Sequence, residues 1–450
     1  MSESGGVVPV VSRQRPSFKD AISDREVEEL LGKLISISSV NPFGREEFSW
    51  PPYGEAKIAE FVGDYMQGLG LKVEFQEVLP GRPNVIVTME GREGEGALQG
   101  TLHGSGIAPR GSRVALQDRG ETPQAQNERQ GYGGRAGSRA LLLEAHMDTV
   151  QVENMAIDPF IPKVEGGRLF GRGACDDKSS LAAMMLALKL IKESDYTPEA
   201  TVYLAAVADE EYKFRGVRHL LESGIRADAG IVGEPTDLDV VIAHKGCVRW
   251  RIITRGKAVH SSRPEEGVNA IHKMADVIVG MRRKLEPLYD ARRHPLVGTP
   301  TLSVGLISGG VGVNTVPDEC TIHIDRRLLP GEKADEVLQE FREVFEELKA
   351  QDPSLDVRME EPYLIDIPVE ISAEEPVVRC LVEASQAVLG DARIKGVPYG
   401  TDASKVAASG IPSVVFGPGS IVNAHSASEF VEVWQVRKAA EIIAEAITRF

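Results

Sequence analysis

Histidines and carboxylates recur in this sequence at points where an apolar run stops. The segment LLLEAHMDTV passes within a few positions from three leucines to His146 and Asp148. Other ionisable groups stand in the segments GRGACDDKSS, VADEEYKFRG, VGEPTD and VNAHSASEF. Each segment taken alone also fits a structural histidine or a solvated turn. The three consecutive carboxylates at 209–211, however, would repel one another strongly unless a cation compensated them.

The residue types indicate which cation this would be. Two histidines and several carboxylates, without a thiolate pair, form the ligand set preferred by Zn²⁺, Co²⁺ or Mn²⁺. The candidate ligands also outnumber what one catalytic ion requires. We therefore expect a two-metal site, in which a carboxylate bridges ions about 3.5–4 Å apart.

The elements that must position these groups follow from the apolar periodicity. Helical spacing predicts helices over 25–37 and 54–70, and strands follow at 72–78 and 84–91. From residue 140 onwards, strands and helices alternate, which is typical of a parallel sheet with helices on its faces. Ligands bind such sheets outside the carboxyl ends of the strands. That edge is where His146, Glu210 and Glu234 are predicted to lie.

A different order of elements follows residue 246. The pattern βαββαβ predicts a compact α+β domain inserted into the α/β domain. The predicted organisation is a flexible tail (1–20), a first catalytic part (21–246) with a flexible insertion (93–138), an inserted domain (247–362) and a second catalytic part (363–450).

Composition disfavours several kinds of partner. The 450 residues carry a net charge of -16, which disfavours nucleic acid and anionic membranes as partners. No segment approaches the roughly 20 consecutive apolar residues that span a bilayer. The four cysteines are far apart and form no C-x-x-C pair, so we expect a reducing, cytoplasmic location.

In type and order, these motifs resemble the co-catalytic metallohydrolases that include acetylornithine deacetylase, succinyl-diaminopimelate desuccinylase and glutamate carboxypeptidase. The resemblance runs from about residue 24 to the C-terminus, apart from 93–138. It implies a zinc-aminopeptidase-like α/β catalytic domain with a mostly parallel sheet, interrupted by a ferredoxin-like lid or dimerisation domain. It also implies a homodimer through that domain, and two divalent ions per chain, with zinc expected first and cobalt or manganese as alternatives.

The resemblance also assigns metal ligands. Two residues would bind the first ion, two the second and one would bridge them: His146 and Glu234, then Glu211 and His425, with Asp176 as the bridge. Asp177 is the rival for the bridge, but the position two residues before Lys178 favours Asp176.

Three catalytic roles follow from the same resemblance. Asp148 would orient the ring of His146, as metal-bound histidines commonly require. Glu210 resembles the general base, and His260 in GKAVHSS resembles the residue that polarises the scissile carbonyl. In dimeric relatives this histidine can reach the neighbouring subunit's site.

Candidate substrate-binding residues lie in three further segments. They are Asn314, Arg327, Gly400, Thr401 and Gly417. Asn314 would donate hydrogen bonds, and the planar guanidinium of Arg327 suits a substrate carboxylate, although a surface salt bridge is an alternative role for it. The chain departs from the pattern at Ser179, where relatives often have glycine, and in YKFRG after the paired glutamates. Both departures would reshape the pocket.

The leading functional hypothesis is a metal-dependent hydrolase that cleaves the amide bond of a small N-acyl amino acid, as a deacetylase or desuccinylase does. A dipeptidase or carboxypeptidase of the same family is the nearest alternative. A non-catalytic metal-binding homologue is an alternative of a different class. A phosphate loop is disfavoured because two aspartates precede Lys178, and no G-x-S-x-G elbow supports a serine hydrolase.

Overall fold

The computed structural model describes residues 15–44, 53–92 and 139–450. The helices are α1 (Asp24–Ser36), α2 (Ala56–Gly68), α3 (Lys178–Glu193), α4 (Glu210–Lys213), α5 (Arg215–Glu222), α6 (Ala270–Ala291), α7 (Ala334–Gln351), α8 (Pro376–Leu389), α9 (Ala403–Ala408) and α10 (Val433–Arg449). The predicted insertion at 93–138 lies outside the described residues. Of the predicted tail, residues 15–20 are described, and Phe18 is buried with its backbone N–H donating to Glu445 on α10 (2.8 Å).

The strands belong to three sheets. The strands are β1 (Lys72–Leu79), β2 (Arg82–Met89), β3 (Ala140–His146), β4 (Lys163–Glu165), β5 (Arg168–Phe170), β6 (Thr201–Val207), β7 (Ala229–Val232), β8 (Val240–His244), β9 (Gly246–Arg255), β10 (Thr301–Gly309), β11 (Glu319–Leu328), β12 (Asp356–Met359), β13 (Leu364–Asp366), β14 (Val369–Glu370), β15 (Ile394–Val397), β16 (Ser413–Val415) and β17 (Phe430–Glu432).

The largest sheet is mixed, with a parallel centre. Its order is β1-β2-β6-β3-β7-β16-β8-β14, and β15 also pairs with β8. The four neighbours β6, β3, β7 and β16 run parallel, whereas β1, β2 and β14 join in antiparallel fashion. His146 is opposite Val207, so β3 and β6 end at the same edge of the sheet. The predicted α/β class, with its inserted α+β domain, is confirmed.

Strand β3 shows why this sheet is covered on both faces. Every residue of β3 is buried, and successive side chains point to opposite faces. Leu141 and Leu143 join the larger core, to which α1, α3 and α10 contribute, while Leu142 packs in a separate core with α5 and α9. The apolar run that precedes His146 therefore anchors the end of β3 rigidly.

The second sheet has the order β10-β11-β9-β12, with β13 also paired to β9. Even-numbered residues of β11 are buried and odd-numbered ones are more exposed, because α6 and α7 cover one face only. The element order β9-α6-β10-β11-α7-β12 matches the predicted βαββαβ pattern. Strand β13 pairs with β9 although it lies beyond residue 362. The proposed domain boundaries stay predictions.

The third sheet, of β17, β5 and β4, was not predicted from the sequence. Phe430 of β17 is opposite Phe170 of β5, which brings the loop after His425 beside the loop that carries Asp176. In the described ranges, no helix combines the length and the apolar composition that crossing a membrane demands.

Candidate metal centre

Asp176 lies between two histidines from distant parts of the chain. Its Oδ1 is 3.0 Å from Nε2 of His146, and its Oδ2 is 3.2 Å from Nε2 of His425. His146 ends β3, whereas His425 precedes β17 in a left-handed backbone conformation with φ at 58°. A carboxylate that offers one oxygen to each of two imidazoles has the geometry that a bridging ligand requires.

Glu211 extends this chain of contacts. Its Oε1 is 3.0 Å from Nε2 of His425. One potential ligand atom from each of His146, Asp176 and Glu211 lies within 4.8 Å of the others. Four of the five predicted metal ligands thus form one contiguous cluster, which we call the metal cluster: His146, Asp176, Glu211 and His425.

Glu234, the fifth predicted ligand, is buried just after β7. It lies outside the group of ligand atoms within 4.8 Å of one another, but the carboxylates of Asp176 and Glu210 are close enough to add to the rise in its pKa that burial causes. Gly417 packs on its backbone, since a Cβ at that position would lie 2.5 Å from the carbonyl oxygen of Glu234.

Asp177, the rival for the bridging role, is fully buried at the start of α3. Neither of its carboxylate oxygens has a hydrogen-bond partner, and burial raises its pKa to about 8. The geometry thus places Asp176, and not Asp177, between the two histidines.

Asp148 contacts the site through both its backbone carbonyl and its side chain. The sequence predicted only that its side chain would orient His146. Nδ1 of His146 donates to the backbone carbonyl of Asp148 at 2.9 Å, whereas the Asp148 carboxylate is 3.7 Å away. That carboxylate accepts instead from the backbone N–H groups of Glu210 (3.0 Å) and Glu211 (3.2 Å). The carbonyl fixes the tautomer that leaves Nε2 of His146 free to bind a metal, and the carboxylate anchors the start of α4.

A polar network behind α4 was missed in the sequence. Asp209 takes a left-handed conformation, with φ at 66°, immediately before α4. Its buried carboxylate pairs with Arg215 (2.5 Å) and Arg82 (3.1 Å) and accepts from Asn41 (3.1 Å). Asn41 also donates to Asp148 at 2.7 Å. The network joins segments more than 100 residues apart, so no local pattern could have indicated it.

A second missed residue is Glu429. It is fully buried, and its Oε1 accepts the backbone N–H groups of Cys175 (2.8 Å) and Asp176 (3.0 Å). Its Oε2 pairs with Arg172 at 2.6 Å. The only signal in the sequence is an acidic residue four positions after His425.

The predicted residues of the inserted domain, all of which the structure describes, form no hydrogen bond or ion pair with the metal cluster. His260 is exposed, with Nδ1 2.8 Å from the hydroxyl of Ser262, and it forms an isolated bridge with Thr315, next to Asn314. Arg327 pairs with Asp325 at 2.9 Å, in agreement with the salt-bridge alternative.

The loop after β15 carries Gly400 and Thr401. A Cβ on Gly400 would lie 2.6 Å from Oδ2 of Asp366, so only glycine fits there without displacement. Thr401 is buried, and its hydroxyl accepts from the backbone of Ala403 at 3.1 Å. Both residues therefore have structural reasons for their identity.

Comparison with known proteins decides the family. Residues 142–449 match the model of peptidase family M20/M25/M40. The chain belongs to this family. It is 31% identical over 444 residues to an acetylornithine deacetylase of Vibrio campbellii, covering 97% of this chain and 99% of that protein.

Solved M20-like structures share the fold. A tripeptidase from Staphylococcus aureus superposes with a TM-score of 0.70 at 21% identity, covering 95% of this chain and 98% of that one. A Bacillus subtilis M20 peptidase, described as dinuclear metal binding, has a TM-score of 0.64 at 16% identity, covering 94% and 97%. The chain is thus an M20 hydrolase with the M20 fold.

The charges of the site test whether the residues present suit the divalent ions of an M20 enzyme. In the described part of the chain, no lysine or arginine forms an ion pair with the four acidic residues that surround the centre: Asp176, Glu210, Glu211 and Glu234. Burial raises the pKa values of Glu210 and Glu234 well above their usual range. Such an uncompensated group of carboxylates is the environment that divalent cations stabilise.

The histidines agree with this conclusion. Burial would lower the pKa of His425, but its hydrogen bonds to Asp176 and Glu211 raise it to about 11. Burial would likewise raise the pKa of Asp176, but hydrogen bonds to His146 and His425 lower it below the usual range. Both imidazoles therefore lie where neighbouring carboxylates stabilise positive charge. The residue set fits a pair of divalent ions.

Proposed function

We propose that this protein is a two-metal amidohydrolase that removes the acyl group from a small N-acyl amino acid. The observation that carries the proposal is the placement of the Asp176 carboxylate between His146 and His425, with Glu211 completing the cluster. The likeness to curated acetylornithine deacetylases over nearly the whole chain supports the choice of substrate class.

In this proposal, His146 and Glu234 would hold the first ion, Glu211 and His425 would hold the second, and Asp176 would be a ligand to both. Divalent ions in such a site polarise an amide carbonyl and lower the pKa of water from 15.7 towards about 7. Zn²⁺ is the first expectation, with Co²⁺ or Mn²⁺ as alternatives, because imidazole and carboxylate ligands suit all three.

Glu210 is the proposed general base. It is half-buried, adjoins the proposed ligand Glu211, and has its backbone fixed by the carboxylate of Asp148. Its high pKa, caused first by burial, favours a carboxylate that takes up a proton. Glu210 would accept the proton of the attacking water and deliver it to the leaving nitrogen, a role worth about 10²–10⁴-fold in rate.

His260 and Asn314 form the proposed second half of the active site. The backbone N–H of Ser261 donates to the carbonyl of Asn314 at 3.0 Å, so the two segments are joined. Because His260 is exposed and forms no hydrogen bond or ion pair with the metal cluster, we infer that it reaches substrate by closure of the inserted domain or from a neighbouring subunit. There it would stabilise the oxyanion, while Arg327, released from Asp325, would bind the substrate carboxylate.

The neighbouring subunit is the proposed partner of the inserted domain. Strand β10 is an edge strand, and it exposes Leu306 (63%) and Ile307 (60%), with Val311 (90%) in the adjoining turn. An exposed apolar edge strand is a surface that normally requires a partner. Sedimentation of the wild type should reveal a dimer, and Ile307→Lys should dissociate it.

The compartment we propose is the cytoplasm. The four cysteines are all free, and Cys175, Cys247 and Cys320 are buried. Unpaired, buried thiols suit a reducing compartment, in which disulfides do not form.

An acyl-release assay tests the proposed function. The purified protein would be loaded in turn with Zn²⁺, Co²⁺ and Mn²⁺ and offered N-acetyl, N-succinyl and N-carbamoyl amino acids, together with dipeptides. Release of acetate or succinate supports the proposal. Turnover of dipeptides alone would replace it with a peptidase, and no turnover with two bound ions would favour a non-catalytic homologue.

A further inference from the structure

The side chain of Glu429 makes three contacts with the loop that carries Asp176. One carboxylate oxygen accepts two consecutive backbone amides, at Cys175 and Asp176, and the other pairs with the guanidinium of Arg172. The backbone carbonyl of Glu429 also accepts from the N–H of Gly171 at 3.1 Å. Residue 429 thus contacts four of the six positions between 171 and 176.

The small third sheet explains why Glu429 stands there. Strand β17 begins one residue after Glu429 and pairs with β5, which ends one residue before Gly171. The pairing therefore continues into the Glu429 contacts. His425 lies four residues before Glu429, in the same connection. Glu429 consequently joins the loop of Asp176 to the connection that carries His425.

We propose that Glu429 is a positioning residue for the second metal ion, which it serves by holding Asp176 against His425. The inference rests on the two-metal function proposed above. Glu429 contacts no ion itself, because both of its oxygens are already used by backbone amides and by Arg172.

The two ions should depend on Glu429 unequally. His146 ends the buried strand β3, and Glu234 follows the buried strand β7, so the sheet positions the two ligands assigned to the first ion alone. Of the ligands assigned to the second ion, Glu211 is anchored through Asp148, but His425 lies in an exposed connection. Loss of the Glu429 contacts should therefore weaken the binding of the second ion and leave the binding of the first ion nearly unchanged.

The test is a metal titration of the Glu429→Gln apoprotein. Binding of Zn²⁺ is measured by calorimetry, and binding of Co²⁺ is measured from the visible absorption spectrum. Glutamine keeps the shape but directs an amide N–H₂ at either Arg172 or the backbone donors. We expect the second dissociation constant to rise about 10–100-fold, the range typical for partners that orient metal ligands, with the first close to the wild-type value. Excess metal should restore kcat.

Glu432→Gln is the matched control. Glu432 lies three residues after Glu429, on strand β17, and pairs with Arg168 of β5 at 2.7 Å, but its side chain contacts no residue of the 171–176 loop. The two metal dissociation constants of the Glu432→Gln variant should equal those of the wild type. If the wild type itself bound fewer than two ions, the proposed function would fail. If it bound two and Glu429→Gln bound both equally well, only the positioning role would fail.

Urea unfolding of the apoproteins shows whether the variant folds. Should Glu429→Gln not fold, Arg172→Lys replaces it, because this change retains the charge and the amide contacts of Oε1 but removes the planar guanidinium that contacts Oε2. The dissociation constant of the second ion is then expected to rise by roughly tenfold, the lower end of the same range. An unchanged second dissociation constant in Arg172→Lys would overturn the inference.

Discussion

Replacing Asp148 by asparagine should disturb the general base and a metal ligand at once. The carboxylate of Asp148 accepts three hydrogen bonds, from the backbone of Glu210, the backbone of Glu211 and the side chain of Asn41. Asparagine offers one oxygen and one N–H₂ group. At least one donor would then face another donor, and the start of α4 would have to move.

The size of the effect follows from these contacts. A hydrogen bond to a charged, buried acceptor contributes about 1.5–3 kcal/mol to the free energy of unfolding. If the same amount is lost from the transition state, at about 1.36 kcal/mol for each factor of ten, kcat/KM should fall roughly 10–150-fold. Because Nδ1 of His146 is held by the backbone carbonyl of residue 148, which the substitution retains, the first ion should stay bound.

The measurements are kcat/KM on the best N-acyl substrate, metal content, and the free energy of unfolding in urea. Asp158→Asn is the control, since Asp158 also accepts a backbone N–H (from Phe160, 3.1 Å) but is exposed and touches none of the site residues. That variant should behave as wild type. A kcat/KM for Asp148→Asn equal to the control, with two ions bound, would refute the idea that this carboxylate positions α4 for catalysis.

Four further outcomes are expected. Glu210→Gln should lower kcat by about 10²–10⁴-fold while elemental analysis still finds two ions, because the base takes part in proton transfer and not in binding. His260→Ala should lower kcat without changing metal content, since His260 contacts no metal-cluster residue; loss of metal would assign it elsewhere. Removal of the metals with a chelator should reduce the free energy of unfolding in urea by about 2.7 kcal/mol for each site, if the free metal concentration was initially 100 times the Kd of that site. Metal titrations at decreasing pH should give rising dissociation constants, because the ligands must be deprotonated to bind the metals.

The sequence was most informative where the chemistry and the element shared one segment. LLLEAHMD contains both a buried strand and the histidine that ends it, so periodicity placed His146 correctly at the sheet edge. Likewise, the alternating strand ECTIHIDRRL and the amphipathic helices α6 and α7 indicated the inserted domain. These patterns are local, and local patterns can be recognised in a single sequence.

The missed features are non-local or break a period. Strands β4, β5 and β17 are three residues long, too short for a pattern to develop. The contacts of Glu429 and Asn41 join positions more than 100 residues apart. Nδ1 of His146 donates to the backbone carbonyl of residue 148, which every residue type possesses, while the Asp148 carboxylate predicted to orient the ring lies 3.7 Å away. No choice of side chain could have revealed that contact.

The acidic residues of the site fall into two classes that the sequence alone does not distinguish. The carboxylates of Asp148 and Glu429 each accept two backbone amides, so their charge is stabilised by the protein itself and is withdrawn from metal binding. In the described part of the chain, the side chains of Asp176 and Glu211 accept only from histidines. The first class shapes the loops and the second remains available to cations. A site with both can keep its geometry when the ions leave, because the carboxylates that hold the loops are not the ones that lose their partners.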